Sequence, residues 1–128
     1  MAYNVLIVDD SRTARMFISK AIEVSGLSVG KVMQAQNGKE GLEMLQKEWV
    51  DIVFADINMP EMTGVEMVQK MCEDGLMKTV PVVIVSTERS ATRIAELKAA
   101  GVREYLNKPC TPENIKKVVD EVLGKQEG

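Results

Sequence analysis

Four apolar runs in this 128-residue chain each lead into a residue suited to phosphate or metal chemistry. Leu6-Ile7-Val8 runs into Asp9 and Asp10, and Ile52-Val53-Phe54-Ala55 into Asp56. Val82-Val83-Ile84-Val85 runs into Ser86, and Tyr105-Leu106-Asn107 into Lys108. Carboxylates ~4 Å apart repel by ~4 kcal/mol per pair at an effective dielectric of 20, so three gathered together call for a cation. A hard divalent ion meets that need, and Mg²⁺ bridges carboxylates to a phosphate while keeping several waters. Lys108 adds a second positive point for phosphate oxygens, and Ser86 adds a hydroxyl donor. A carboxylate can also attack phosphorus to give an aspartyl-phosphate, a transfer that depends mainly on positioning and charge neutralisation. One carboxylate must then be the nucleophile while others hold the metal. The lone Asp56 suits the first role and the Asp9-Asp10 pair the second.

Composition narrows the chemistry further. The chain has no histidine, which excludes a Ser-His-Asp triad, a Cys-His pair and a histidine zinc site. Any metal is then held mostly by oxygen, which favours Mg²⁺, Mn²⁺ or Ca²⁺. A net charge of −3 gives no reason to expect nucleic-acid binding. No apolar run approaches the ~20 residues of a membrane span. The start, Met-Ala-Tyr-Asn, lacks the basic and apolar regions of a signal peptide, so a cytoplasmic location is expected. Cys72 and Cys110 form no disulfide framework; both are expected reduced, with Cys72 on the core face of a helix.

These residues must be positioned by short β-branched strands alternating with amphipathic helices. A strand at about 4–9 leads to a helix at about 12–25, with Ser11 as N-cap, Gly26 as stop and an apolar stripe of Ala14, Phe17, Ile18, Ala21 and Ile22. A strand at about 29–35 leads through Asn37-Gly38 to a helix at about 38–48, with Leu42, Leu45 and Trp49 facing inward. The third strand, about 51–56, precedes the loop 58–64 and a helix at about 65–73 that buries Val65, Val68, Met71 and Cys72. The fourth strand is expected at about 81–86. The helix after it, about 90–100, has only Ile94 and Leu97 as large apolar residues, so it should pack weakly and be able to move. A strand at about 103–107 and a helix at about 112–123, opened by Pro112 and carrying Ile115, Val118, Val119, Val122 and Leu123, complete the count. Five strands alternate with five helices. Right-handed crossovers make this an α/β doubly wound parallel sheet with helices on both faces. Residues 1–128 are read as one domain with no effector domain. Ligands bind such sheets outside the carboxyl ends of the strands, the edge where the chemistry-bearing residues fall.

Together, Leu6-Ile7-Val8-Asp9-Asp10-Ser11, Asp56-Ile57-Asn58-Met59-Pro60 with Gly64, Val85-Ser86 and Lys108-Pro109 resemble the receiver domain of two-component response regulators across essentially the whole chain. The resemblance implies a flavodoxin-like fold with strand order 2-1-3-4-5. It implies that Asp56 accepts phosphate from a sensor histidine kinase or phosphotransfer protein. Asp9, Asp10, Asp56 and the main-chain carbonyl of Asn58 would hold Mg²⁺, with Mn²⁺ as an alternative. Ser86, Lys108 and the main chain of Thr87 would bind the phosphoryl oxygens. Ser86 and Tyr105 would form the switch, the Tyr105 ring turning inward as Ser86 moves toward the phosphate. Implied partners include a downstream effector such as the flagellar motor switch, in chemotaxis or motility signalling, and a phosphatase; nucleic acid and membrane are not among them. Such a chain is a switch that takes part in its own phosphotransfer and dephosphorylation rather than an enzyme acting on another substrate. Three positions depart from the usual pattern. Thr87 replaces Ala or Gly and would crowd the phosphate, counting against fast turnover. Ala91 replaces a docking base, counting against a flagellar motor partner. Cys110 replaces Phe.

Plainer readings stand beside these. Asp9 and Asp10 could cap the first helix, Ser86 or Thr87 the fourth, and Lys108 could be a solvated loop lysine. Tyr105 could be core or edge filling, the nine methionines core filler, and Arg89, Arg93 and Lys98 a solvated helix face. Three other functions fit parts of the pattern. An aspartyl-nucleophile phosphatase of the haloacid dehalogenase type would carry Asp where Asn58 stands, and would need a substrate cap. A flavodoxin-type electron carrier would need a hydroxyl- and glycine-rich phosphate cradle after the first strand, where Asp9 and Asp10 would repel FMN phosphate. A degenerate receiver used only for docking would have lost part of the site.

Overall fold

The central strands of this protein, over residues 5–8, 52–55 and 82–85, are apolar on both faces because helices cover both faces. The computed structural model describes residues 2–76, 79–87 and 90–124. The elements run β1 (Tyr3–Val8), α1 (Arg12–Val24), β2 (Val29–Ala35), α2 (Gly38–Lys47), β3 (Ile52–Ala55), α3 (Gly64–Glu73), β4 (Val82–Ser86), α4 (Ala91–Ala99), β5 (Glu104–Asn107) and α5 (Pro112–Leu123). All strand pairs are parallel, and the sheet order is β2-β1-β3-β4-β5. The doubly wound α/β architecture with order 2-1-3-4-5 is therefore as expected.

Period-2 alternation sends neighbouring residues of each strand into different cores. Val5, Ile7, Ile52, Phe54, Val83 and Val85 pack with Ile18, Ala21 and Ile22 of α1 and Ile115, Val118 and Val119 of α5. Leu6, Val8, Val53, Ala55, Val82 and Ile84 face the other way, onto Leu45 of α2, Met67, Val68 and Met71 of α3, and Leu97 of α4. Each helix starts at a capped N-terminus. Ser11, Asn37, Thr63, Ser90 and Thr111 each accept a hydrogen bond from the amide three residues on, a contact worth ~1 kcal/mol against alanine. Thr63 with Glu66, and Thr111 with Asn114, complete reciprocal capping boxes.

Several expected inward-facing residues point elsewhere. Phe17 is 51% exposed, because it lies about 100° round the helix from Ile18, which with Ala21 and Ile22 fills the available groove. Trp49 is 76% exposed. Helix α2 ends at Lys47, so Trp49 is off the helical stripe, and its indole N–H donates to Asp51 at 3.0 Å. In α3 the buried set is Gly64, Met67, Val68 and Met71, spaced i, i+3, i+4, i+7. Cys72 falls outside that stripe and is exposed, while Val65 is only partly buried. Both cysteines are free. Met33, Met59, Met67 and Met71 are core residues. Arg93 is half-buried and Lys98 exposed; Arg89 lies outside the described residues. Helix α4 has Leu97 as its one fully buried side chain among the described residues, in line with weak packing. No described helix is long and apolar enough to cross a membrane.

The turn between β3 and α3 is a tight fit at the sheet edge. The Gly64 amide donates to the Ile57 carbonyl at 2.7 Å. A Cβ there would collide with the carbonyl oxygen of Asp56 and reach the Ile57 Cα at 3.0 Å. Both obstacles are backbone and cannot rotate away. Gly64→Ala should lower stability by more than about 2 kcal/mol, read as a fall of roughly 8 °C in Tm. A Tm within 2 °C of the parent would contradict this account of the turn.

Candidate functional site

The carboxyl ends of β1, β3 and β5 meet around one ammonium group. Strand β1 ends at Val8, and Asp9 follows with its amide bonded to the Ala35 carbonyl of β2 at 3.1 Å. Strand β3 ends at Ala55, and the Asp56 amide donates to the Val8 carbonyl at 2.9 Å. Strand β5 ends at Asn107, and the Lys108 amide donates to the Ser86 carbonyl at 3.0 Å. Backbone pairing alone thus sets Asp9, Asp56, Ser86 and Lys108 side by side.

The side chains complete the arrangement. Lys108 Nζ lies 2.7 Å from Asp9 Oδ2 and 3.1 Å from Asp56 Oδ2. The remaining oxygens are also engaged: Asp9 Oδ1 accepts from the Ser11 amide at 2.9 Å, and Asp56 Oδ1 from the Ile57 amide at 2.7 Å. Asp9 is 1% exposed, whereas Asp10 stands in solvent. Asp9, Asp10 and Asp56 each offer a carboxylate oxygen, and these oxygens all lie within 4.8 Å of one another. Burial works against the Lys108 ammonium, but the hydrogen bond to Asp9 and the charges of Asp56 and Asp9 outweigh it and hold its pKa above the ordinary 10.5.

The other residues picked from the sequence sit around this centre. Ser86 is buried at the end of β4, and Thr87 follows it, exposed. Asn58 is exposed in the β3–α3 loop. Tyr105 is half-buried on β5, packed against the core that includes Leu97 of α4. Cys110 is buried beside the site, and burial pushes its thiol up. With Ala14, Phe17, Ile18, Val85 and Pro109 it lines an apolar cleft of about 270 Å³ next to Lys108.

Sequence reasoning missed the supports of this site. Arg15 donates from Nη1 to the Asp9 carbonyl at 2.6 Å and from Nε to Gln34 Oε1 at 3.0 Å. Asn37, which is buried, donates to Glu61 at 3.2 Å, and Glu61 takes the left-handed conformation with φ 63°. An arginine one turn into a helix that follows two aspartates was a legible signal for the first pair. Nothing local in sequence pairs Asn37 with Glu61, which are 24 residues apart.

A lysine held above its ordinary pKa stabilises the fold at every pH below the ordinary value, and the contribution is lost as pH climbs through the raised one. Lys108→Met, which leaves the buried Asp9 carboxylate without its cation, should lower stability at pH 7 by about 1–3 kcal/mol. The gap between parent and variant should close above pH 10.5. Denaturant unfolding at pH 7 and across the alkaline range checks both; a gap that widens with pH would overturn the charge assignment.

Comparison with known proteins agrees with this geometry. The response regulator receiver domain family matches residues 5–120. A chemotaxis protein CheY homolog of Campylobacter jejuni is 35% identical over 125 residues, covering 97% of this chain and 95% of that protein. The rice two-component response regulator ORR5 is 38% identical over 123 residues, 95% of this chain and 90% of that one. Among solved structures, the Vibrio cholerae chemotaxis protein CheY4 superposes with a TM-score of 0.83 at 34% identity, covering 95% of this chain and 99% of that chain. The chain belongs to the response regulator receiver domain family and is CheY-like.

Proposed function

We propose that this chain is a response regulator receiver in which Asp56 accepts a phosphoryl group from a histidine kinase or phosphotransfer protein. The observation that carries the reading is Lys108, whose ammonium touches both Asp9 and Asp56 beside three convergent carboxylates. A carboxylate oxygen of Asp56 forms the new P–O bond as the P–N bond to the donor's phosphohistidine breaks, and the departing imidazole nitrogen takes a proton. The Ile57 amide holds Asp56 Oδ1, fixing the carboxylate plane for attack. Lys108 moves its ammonium onto a phosphoryl oxygen, and the Ser86 hydroxyl and Thr87 amide take others. Thr87 crowds that position and slows hydrolysis.

Asp9, Asp10, Asp56 and the Asn58 carbonyl would hold Mg²⁺, or Mn²⁺ in its place. The donor set is all oxygen, close-spaced and acidic, which fits a hard divalent ion. When bound, such an ion offsets the charge of the transferring phosphoryl group. Asp10, the exposed member of the three, is best placed to exchange solvent for it.

The switch runs from Ser86 to Tyr105 and α4. Phosphate draws Ser86 inward, the Tyr105 ring fills the space, and α4, anchored in the core mainly by Leu97, shifts. A ligand moves such an equilibrium only through contacts that differ between the two states, and the Ser86–phosphate contact supplies that difference. The output surface is formed by α4, β5 and α5, and its reader is a cytoplasmic effector protein. The chemotaxis relatives favour a motility pathway, while Ala91 argues for an effector other than the flagellar motor switch.

Asp56→Asn should abolish labelling by acetyl phosphate or a phosphohistidine donor; persistent labelling, or phosphate stable to alkali, would sink the assignment. Asp10→Ala should keep the fold, lose most Mg²⁺ affinity and label slowly, an effect that equal rates in EDTA and Mg²⁺ would contradict. Ser86→Ala should still accept phosphate but lose the beryllofluoride-induced amide shifts across residues 90–106. Parent shifts confined to the loops around Asp9, Asp56 and Lys108 would refute the route.

A further inference from the structure

Asp10 is the exposed carboxylate of the three that converge, yet it must hold a defined direction to share an ion with two engaged neighbours. Its backbone supplies that direction. The peptide unit between Asp9 and Asp10 carries the Asp9 carbonyl, and Arg15 grips that oxygen at 2.6 Å. Because the peptide is planar, fixing its carbonyl also fixes the Asp10 N–H and the place of the Asp10 Cα from which the side chain leaves. Arg15 is itself held from the far side, its Nε donating to Gln34 Oε1 on β2 at 3.0 Å. The guanidinium can do both at once because its donors form a rigid planar fork.

We infer that Arg15, braced by Gln34, is a positioning residue that presets the Asp9–Asp10 peptide so that Asp10 faces the divalent ion. The inference rests on the metal-dependent reading of the site and adds to it a pair, Arg15 and Gln34, outside the carboxylate cluster. It also makes a prediction against simple Coulomb attraction. Removing a positive charge near three carboxylates should tighten cation binding; removing a positioning group should weaken it.

The test is Mg²⁺ titration of the whole, unphosphorylated chain, followed by amide chemical shifts, with thermal unfolding in parallel. Arg15→Met should weaken Mg²⁺ binding about tenfold and shift the Asp10 and Ser11 amides in the metal-free protein. Arg15→Lys keeps the charge but not the fork, and should fail to restore the affinity. Gln34→Leu, an exposed substitution on β2, should weaken binding two- to fivefold with Tm unchanged, and it decides the matter if Arg15→Met folds poorly. Acetyl phosphate labelling of Arg15→Met should be slow at low Mg²⁺ and recover at saturation. Unchanged or tighter Mg²⁺ binding in Arg15→Met, full rescue by Arg15→Lys, or parent-like binding in Gln34→Leu would each overturn the inference. A parent that binds Mg²⁺ but never labels Asp56 would instead defeat the phosphotransfer reading and leave the role of Arg15 standing.

Discussion

One ammonium group makes a buried carboxylate tolerable at the edge of this sheet. Asp9 lies buried at the end of β1, and its charge is tolerated because Lys108, ninety-nine residues away in sequence, reaches across from the end of β5. The same nitrogen touches Asp56, so the ends of β1, β3 and β5 are drawn to one point. Carboxylates this close would otherwise push the strand ends apart. The sheet edge is therefore held by an interaction that any anion entering the site must compete for. Occupancy of the site and tightness of that edge are linked from the start.

The rest of the molecule divides into parts that resist movement and parts that permit it. Around β3 the chain is pinned: Gly64 sits against the Asp56 backbone, Thr63 and Glu66 lock the start of α3, and the Gly38 amide ties the β2–α2 loop to the Met62 carbonyl. Helix α5 buries Ile115, Val118 and Val119. Helix α4 buries Leu97. An element held by one core side chain needs little free energy to move, and α4 borders the strand that carries Tyr105.

Much of this was legible beforehand because it depends on local periodicity. Continuous β-branched runs between capped amphipathic segments specify the parallel sheet and the edge that gathers Asp9, Asp56, Ser86 and Lys108. What escaped depends on how helices sit. Phe17, Trp49 and Cys72 are apolar residues near a core stripe, and a rotation of about 100° or, for Trp49, a helix that ends two residues before it leaves them outside that stripe. Met67 was overlooked for the converse reason: the stripe passes through it. Asp9 and Asp10 look equivalent in sequence, yet one is sealed by Lys108 and Ser11 and the other is open to solvent. That asymmetry arises from residues distant along the chain, as does the left-handed Glu61 steadied by Asn37.

Trp49 has a practical consequence. It is the single tryptophan of the chain, and it precedes β3 at the edge of the sheet opposite the carboxylates. From Trp49 to Asp56 the chain runs seven residues in a largely extended course, roughly 20 Å. Its indole is already solvated and tied to Asp51. Tryptophan fluorescence in this protein therefore reports on whatever covers the amino edge. It is a built-in optical probe for assembly on that side.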